Sequence, residues 1–596
     1  MCGFAAIYSY GVDAPPVDGS VLESISKSMV RRGPDGDGLW RSDDGRVGMV
    51  HRRLAIIDLS NEAAQPMVLE TPKGRLHISY NGEIYNFREL RYDLEAAGHH
   101  FKTSSDTEVL LHLYERYGRD MVERLRGMFA FAIWDEKRRG MLLARDGFGI
   151  KPLYYMDQKG AFTAASQVKA LLAGLKKQGR PRPDFNAAGH AGFFLFGNVP
   201  EPHTLYKGIK ALKAGTTLWI DTNGPGQEVS FFDISSCLAT ATSQYSNQDL
   251  GELLRDSVSN HFIADVPVGV FLSSGLDSAT LVGLASELQG AKLKTLSLGF
   301  DEFEGSANDE VPLAETIAAT YDTHQHSVRV AGKDFVKDMD DLLVAMDQPS
   351  IDGVNTYFIA KAAAAKGLKV AISGLGGDEI FGGYDSFSQV PNLVGTLGRI
   401  PGIGEIGRLL RSLTIPLTAI GLPLKAPGLI EYSSCYGDAY LLRRALYMPW
   451  ELSSVLGKDM AHEGLEALQA RQRLDSSQSM IGDPEAKVSA LEMTWYMRNQ
   501  LLRDADWAGM AHGLEIRVPF VDTTLFKALA GAIASGDRPC KQEMAATPKK
   551  ALPDAVINRP KSGFFVPVSD WMEGGASANS GLRGWANKVY HTQISQ

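Results

Sequence analysis

Three places in this sequence carry residue types that could do chemistry. Cys2 stands beside the chain start and is followed by Gly3, which leaves its thiol unobstructed for attack on a carbonyl. Loss of Met1 would free an α-amino group, pKa about 7.7–8.0, to take the thiol proton. Taken alone, Cys2 could equally be an inert buried thiol. The second place is Leu272-Ser273-Ser274-Gly275-Leu276-Asp277-Ser278, which ends the apolar run Val268–Leu272 and opens a helix. Small residues there let the backbone approach a polyphosphate, and helix N-terminal amides attract it. The third is Ser373-Gly374-Leu375-Gly376-Gly377-Asp378-Glu379, after another strand-like run, where a carboxylate and Asp277 could share Mg²⁺. Neither a Walker loop nor a Rossmann glycine fingerprint is present.

The elements that must hold these residues change along the chain. Up to about residue 165 the pattern is strand-rich. Leu76, Ile78 and Tyr80 alternate with polar neighbours, and Phe129, Phe131 and Ile133 with smaller ones, the period of half-buried strands. Asp135 to Gly140 reads as a hairpin turn. One helix carries Phe87, Leu90 and Leu94 behind an Asn86 cap. Another follows the capping-box pattern Ser105 to Glu108 and ends at Gly118. Residues 176–248, rich in Pro, Ser and Thr, read as a connecting segment with short strands of its own. Beyond it, strands at Val268–Leu272, Leu296–Phe300 and Lys369–Ser373 alternate with helices, which implies a parallel sheet. From about residue 390 the pattern is mainly helical.

Composition narrows the partners. The 596 residues are 44% hydrophobic and 22% charged, which excludes a collagen-like or disordered chain. A net charge of −9 without a basic run makes nucleic acid an unexpected partner. No apolar stretch approaches the ~18 residues of a membrane helix, and no signal peptide is visible. Four scattered cysteines without CxxC spacing fit a reducing cytoplasm.

Arg31-Arg32-Gly33-Pro34-Asp35-Gly36, His51-Arg52-Arg53, Asn81-Gly82-Glu83-Ile84-Tyr85-Asn86, Ser105-Asp106 and Arg145-Asp146-Gly147-Phe148-Gly149 occur in order behind Cys2. Together they resemble the glutaminase domain of class II amidotransferases. Ser273 to Ser278 resembles the pyrophosphate loop of ATP pyrophosphatases. With Ala511 to Asp522 and Asn558 to Phe564, the whole order is similar to the glutamine-hydrolysing asparagine synthetase family. The resemblance implies an α/β and α+β chain of two domains. The N-terminal one would be a four-layer αββα Ntn-hydrolase fold, and the C-terminal one a parallel-sheet α/β ATP-pyrophosphatase fold with a helical C-terminal part. The limits are 1–175 for the glutaminase, 176–248 for the connection and 249–596 for the amidation domain.

It also assigns roles. Cys2 would be the nucleophile, with Asn81 and Gly82 supplying oxyanion donors. Arg53 would hold the glutamine carboxylate, and Glu83 and Asp106 its amino group. Leu272 to Ser278, with Ser373 and Gly374, would bind ATP and pyrophosphate. Asp277 and Asp378 would hold Mg²⁺, and Lys561 would neutralise phosphate charge. Singly these residues have plainer readings: Asp106 as a helix N-terminal charge, Asn81-Gly82 as a turn, Arg53 on a strand surface, Lys561 as a solvated loop lysine. The expected partners are glutamine, ATP and aspartate or another carboxylate, with a homodimer left open.

The pattern departs from the family at Leu375, where Glu or Asp is usual and where Leu can neither accept a proton nor hold an amine. Asp347-Gln348-Pro349, Asn355-Thr356-Tyr357 and Trp507 also differ from the common residues. These departures put the acceptor in question: aspartate, or a uronic-acid sugar, peptide or metabolite carboxylate. A catalytically idle homologue is the third reading.

Overall fold

The structure, a computed structural model, describes residues 2–241, 250–559, 563, 565–572 and 581–595. Two antiparallel sheets stack in the N-terminal part. The first has six strands in the order Ile209–Ala211, Tyr154–Gln158, Ala161–Ala165, Gly3–Ser9, Val47–Arg53, Gly36–Arg41. The second runs Gly224–Pro225, Thr216–Asp221, Gly140–Arg145, Gly127–Asp135, Gly74–Ile84, Met67–Thr71, and Val229–Ser230 pairs beside it.

Successive strand residues point to opposite faces, and here both faces are covered. Phe4, Ala6 and Tyr8 meet Ala130, Ala132 and Trp134 between the sheets. Ala5 and Ile7 point the other way, against Val21, Leu22, Ile25 and Leu171 of helices Gly19–Ser28 and Val168–Lys177. Phe129, Phe131 and Ile133 pack on Leu90, Leu94, Val109, Leu110 and Leu113 of helices Phe87–Ala96 and Asp106–Tyr117. The layers are therefore αββα. The strand Gly127–Asp135 is buried on both sides, where alternation alone suggested half burial.

Local expectations fare unevenly. Asp135 pairs with Gly140 around the expected turn. Asn86 sits at the N-cap position without capping, because its side chain bridges the Arg124 carbonyl and the Arg126 amide. Ser105 does cap, accepting from the Thr107 amide at 3.1 Å. Glu108 turns instead to the amides of Lys102 and Thr103, so no capping box closes. The short strands expected in 176–248 exist, but they extend the two N-terminal sheets rather than forming a unit apart. Ile209–Ala211 and Thr216–Asp221 satisfy the open edges at Tyr154–Met156 and Met141–Arg145.

The third sheet is parallel: His324–Val330, Lys294–Phe300, Val268–Phe271, Val370–Ile372, Glu515–Arg517. Chain order reverses between Val268–Phe271 and Val370–Ile372, so the loops after these neighbours open a crevice at the switch point. Those loops are Ser273–Gly275 and Ser373–Gly376. Among the described residues after 373, Glu515–Arg517 is the one strand, and no helix is long and apolar enough to cross a membrane.

Candidate functional site

Cys2 lies at the start of Gly3–Ser9, buried, with its amide donating to Asn81 Oδ1 at 2.9 Å. That bond orients the Asn81 carboxamide and leaves its buried Nδ2 with no partner among the described residues. Gly82 follows at φ 156°, where a Cβ would lie 2.1 Å from the Met128 carbonyl. No other residue fits there without moving the strand. Burial pushes the Cys2 thiol above its ordinary pKa.

A narrow pocket beside Cys2 is lined by Arg53, Tyr80, Gly82, Glu83, Ser105 and Asp106. Arg53 is braced by the carbonyls of Asp58 and Ser60. Asp106 accepts from the Tyr80 hydroxyl and the Ile84 amide, each at 3.0 Å, and burial raises its pKa to about 6. Glu83 is driven well above the carboxylate range, first by burial and then by Glu515. Gln65, which the sequence reading passed over, ties this wall together. Its amide donates to Thr107 Oγ1 at 3.1 Å and accepts from the Tyr80 amide at 2.7 Å.

In the crevice of the parallel sheet, the Ser273 side chain and amide both bond Ser278 Oγ, which shapes the turn before helix Leu276–Gln289. Gly275 caps that helix, and Ser274 Oγ is buried and unpartnered among the described residues. The second loop presses against the first. A Cβ at Gly374 would lie 3.1 Å from Asp277 Cβ, and one at Gly377 2.7 Å from Asp277 Cγ. Lys541 ion-pairs with both Asp277 and Asp378, the latter at 2.9 Å. No motif had marked Lys541. Lys561 lies outside the described residues.

Leu375 packs between the two large apolar cores. Nearby, Glu379 is buried, its pKa raised to about 8 by burial and then by Asp378, and it accepts from Tyr384 at 3.0 Å. The Tyr384 ring lies under Arg444, whose guanidinium also covers Tyr496 at 3.9 Å. Arg444 and Tyr496 open into a cavity of about 430 Å³ walled by Tyr440, Trp495, Phe565 and Trp585, with Asp352 and Gln500 among its polar groups.

The two sites are joined by buried charge. Arg32 donates to the Cys2 carbonyl at 3.0 Å and forks onto Asp506 at 2.7 and 3.0 Å. Arg517 bonds Glu515 at 2.6 Å and lies 3.5 Å from Glu83. Trp507 donates to Asp504, which faces Asp352 in a buried carboxyl pair.

A glutamine amidotransferase domain profile matches residues 1–230, and an asparagine synthase profile matches 249–589. Asparagine synthetase [glutamine-hydrolyzing] 1 of Bacillus subtilis is 32% identical over 96% of this chain and 88% of its own length. A putative asparagine synthetase of Mycobacterium tuberculosis is likewise 32% identical, over 96% of this chain and 89% of its own. Amidase chry2 of Gibberella zeae is 32% identical over 65% of this chain and 60% of its own.

Proposed function

The chain belongs to the family of glutamine-hydrolysing asparagine synthetases, and from that premise we propose that it moves the amide nitrogen of glutamine onto an ATP-activated carboxylate. It is an ATP-dependent carbon–nitrogen ligase with glutamine as nitrogen donor. Removal of Met1 would expose the Cys2 amine as the base for a thiol that burial otherwise holds protonated. The thiolate attacks the glutamine amide carbon, and ammonia leaves as the thioester forms. Water then releases glutamate. Asn81 Nδ2 and the Gly82 amide stabilise the oxyanion. Arg53 pairs the glutamine carboxylate, and Asp106 with Glu83 receives its ammonium.

In the crevice, an acceptor carboxylate oxygen attacks the α-phosphorus of ATP, and pyrophosphate leaves. Ammonia delivered internally then attacks the acyl carbon, and AMP departs. Ser273 to Ser278, Ser373 and Gly374 cradle the polyphosphate with backbone amides and hydroxyls. The carboxylates of Asp277 and Asp378 share one ammonium ion, and the glycine loop brings its backbone against Asp277, so these two residues would hold Mg²⁺. An ion held there would offset phosphate charge. Lys561 is assigned the same task toward the α-phosphate.

The observation that carries this reading is the Arg32 guanidinium, which grips the nucleophile's carbonyl and Asp506 of the synthetase part at once. Aspartate is the acceptor that similarity to asparagine synthetases suggests. A larger carboxylate is favoured by the aromatic cavity, whose volume suits a ligand bigger than a four-carbon amino acid. One assay separates these: AMP and pyrophosphate release with Mg²⁺, ATP, glutamine and single acceptors. Cys2→Ala should abolish synthesis from glutamine and retain it from ammonia. Equal loss with both donors overturns the assignment.

A further inference from the structure

Behind the glutamine pocket, on the other end of the helix that carries Asp106, three side chains converge. His112 and Glu115 lie one turn apart on helix Asp106–Tyr117, so they share a face. His99 comes from the loop that links helix Phe87–Ala96 to Ser105. Their donor atoms form a closed triangle. His99 Nδ1 lies 3.1 Å from His112 Nδ1 and 3.5 Å from Glu115 Oε2, and His112 Nδ1 lies 3.7 Å from that same oxygen.

The dimensions select the occupant. The three sides multiplied together and divided by four times the triangle's area give a circumradius of about 2.0 Å, so one point sits at a zinc–ligand distance from all three donors. Two imidazoles and one carboxylate form the donor set that Zn²⁺ accepts with a water in its fourth position. Carboxylate-only cations such as Mg²⁺ or Ca²⁺ fit two imidazoles poorly. His112 is held firmly, its side chain 6% exposed, edge-on to Phe101 and with Glu108 3.9 Å from its Nε2. His99 and Glu115 remain 19% and 20% exposed, which leaves an entry path.

We propose that His99, His112 and Glu115 form a site for a divalent transition ion, Zn²⁺ by its geometry, clasping the 97–105 loop to the helix that presents Ser105 and Asp106. The ion would tie the loop to the helix at a distance from the reacting atoms, so the residues holding it are positioning residues.

The test uses the full chain stripped with a chelator. Titration with ZnCl₂ by calorimetry, and with Co²⁺ by its visible d–d absorption, should find one site of tetrahedral character. The site should persist in an Asp277→Asn background, which excludes the nucleotide crevice as its source. His99→Ala and Glu115→Gln, chosen because both side chains are partly exposed, should each weaken binding by more than the about 10–100-fold that losing an outer-shell partner costs. Zn²⁺ should also raise the Tm of the unmutated chain and not that of His99→Ala. Absence of a stoichiometric site, or one unaffected by both substitutions, overturns the proposal.

Discussion

Asp506→Ala would test how the nucleophile is tied to the synthetase half. Arg32 and Asp506 side chains are 2% and 5% exposed and meet in a two-pronged bond, while Arg32 Nε holds the Cys2 carbonyl. Removing the carboxylate strands a guanidinium that cannot shed its proton. Breaking a buried pair in this way costs about 3–5 kcal/mol. For the domain of residues 1–230 that corresponds to a fall in Tm on the order of 10 °C. Calorimetry of the full chain reads it as a transition temperature, because a two-domain chain has no single unfolding free energy. Replacing both partners, Arg32→Met with Asp506→Leu, should recover part of the lost Tm, since an apolar pair avoids the desolvation of both ions but leaves the buried Cys2 carbonyl without its Arg32 donor. The single variant should also lose synthesis from glutamine more than synthesis from ammonia, because the freed Arg32 no longer fixes Cys2. A Tm within ~1 °C of the parent, inside the usual effect of a surface change, together with an unchanged donor ratio, would refute the argument.

Two further outcomes follow from the pockets. Asp106 is held neutral up to about pH 6 by burial, so kcat/KM for glutamine hydrolysis should fall as pH drops through that value, and Asp106→Asn should remove the inflection. The same raised pKa means the folded chain binds this proton more tightly than the unfolded one. The group's stabilising contribution is therefore present below the ordinary carboxylate range and lost as pH rises through about 6. Gly377→Ala would drive a methyl to 2.7 Å from Asp277 Cγ, so ATP cleavage should fall at least ~10-fold while glutamine hydrolysis stays level. Equal loss of both activities would show that the loop serves the whole fold.

The sequence was informative where chemistry and regular periodicity coincide. Val268–Phe271 reads as a strand because it is apolar and ends in a serine-glycine turn, and the helix Leu276–Gln289 follows from it. His324–Val330 was missed because its outer-edge position leaves it mostly polar, with Val328 and the buried Val330 its two apolar residues. Glu515–Arg517 was missed as a strand for the opposite reason. It is three residues long, and its charges are buried against each other and against Glu83 rather than solvated. Lys541 and Asp277 are 264 positions apart, and Arg32 and Asp506 are 474 apart; no local pattern announces such partners. Cys2, Asn81, Gly82 and Asp106 were singled out through the resemblance to class II amidotransferases, and the structure places them together around one pocket. Gln65, which only braces them, needs no particular spacing.

The charge shared around Arg517 has a consequence for glutamine binding that residue types alone do not give. Arg517 spends its short bond on Glu515, whose pKa is lowered to about 2 against the cost of burial by the amino-terminal charge first and then by Arg517. Glu83, at 3.5 Å from the same guanidinium, is driven above the carboxylate range by burial and then by the neighbouring Glu515 charge, which together outweigh Arg517. The pocket side of Glu83 therefore favours its protonated form, and an arriving ammonium would pull its pKa back down. Glu515→Gln removes the repelling charge and frees Arg517 for Glu83, so the Glu83 pKa should fall. Binding of glutamine would then release fewer protons. Calorimetric titration of a Cys2→Ala background in buffers of different ionisation enthalpy measures that number directly. An unchanged proton count in Glu515→Gln would mean that Glu83 is already charged, and that Arg517 divides its field evenly between the two carboxylates.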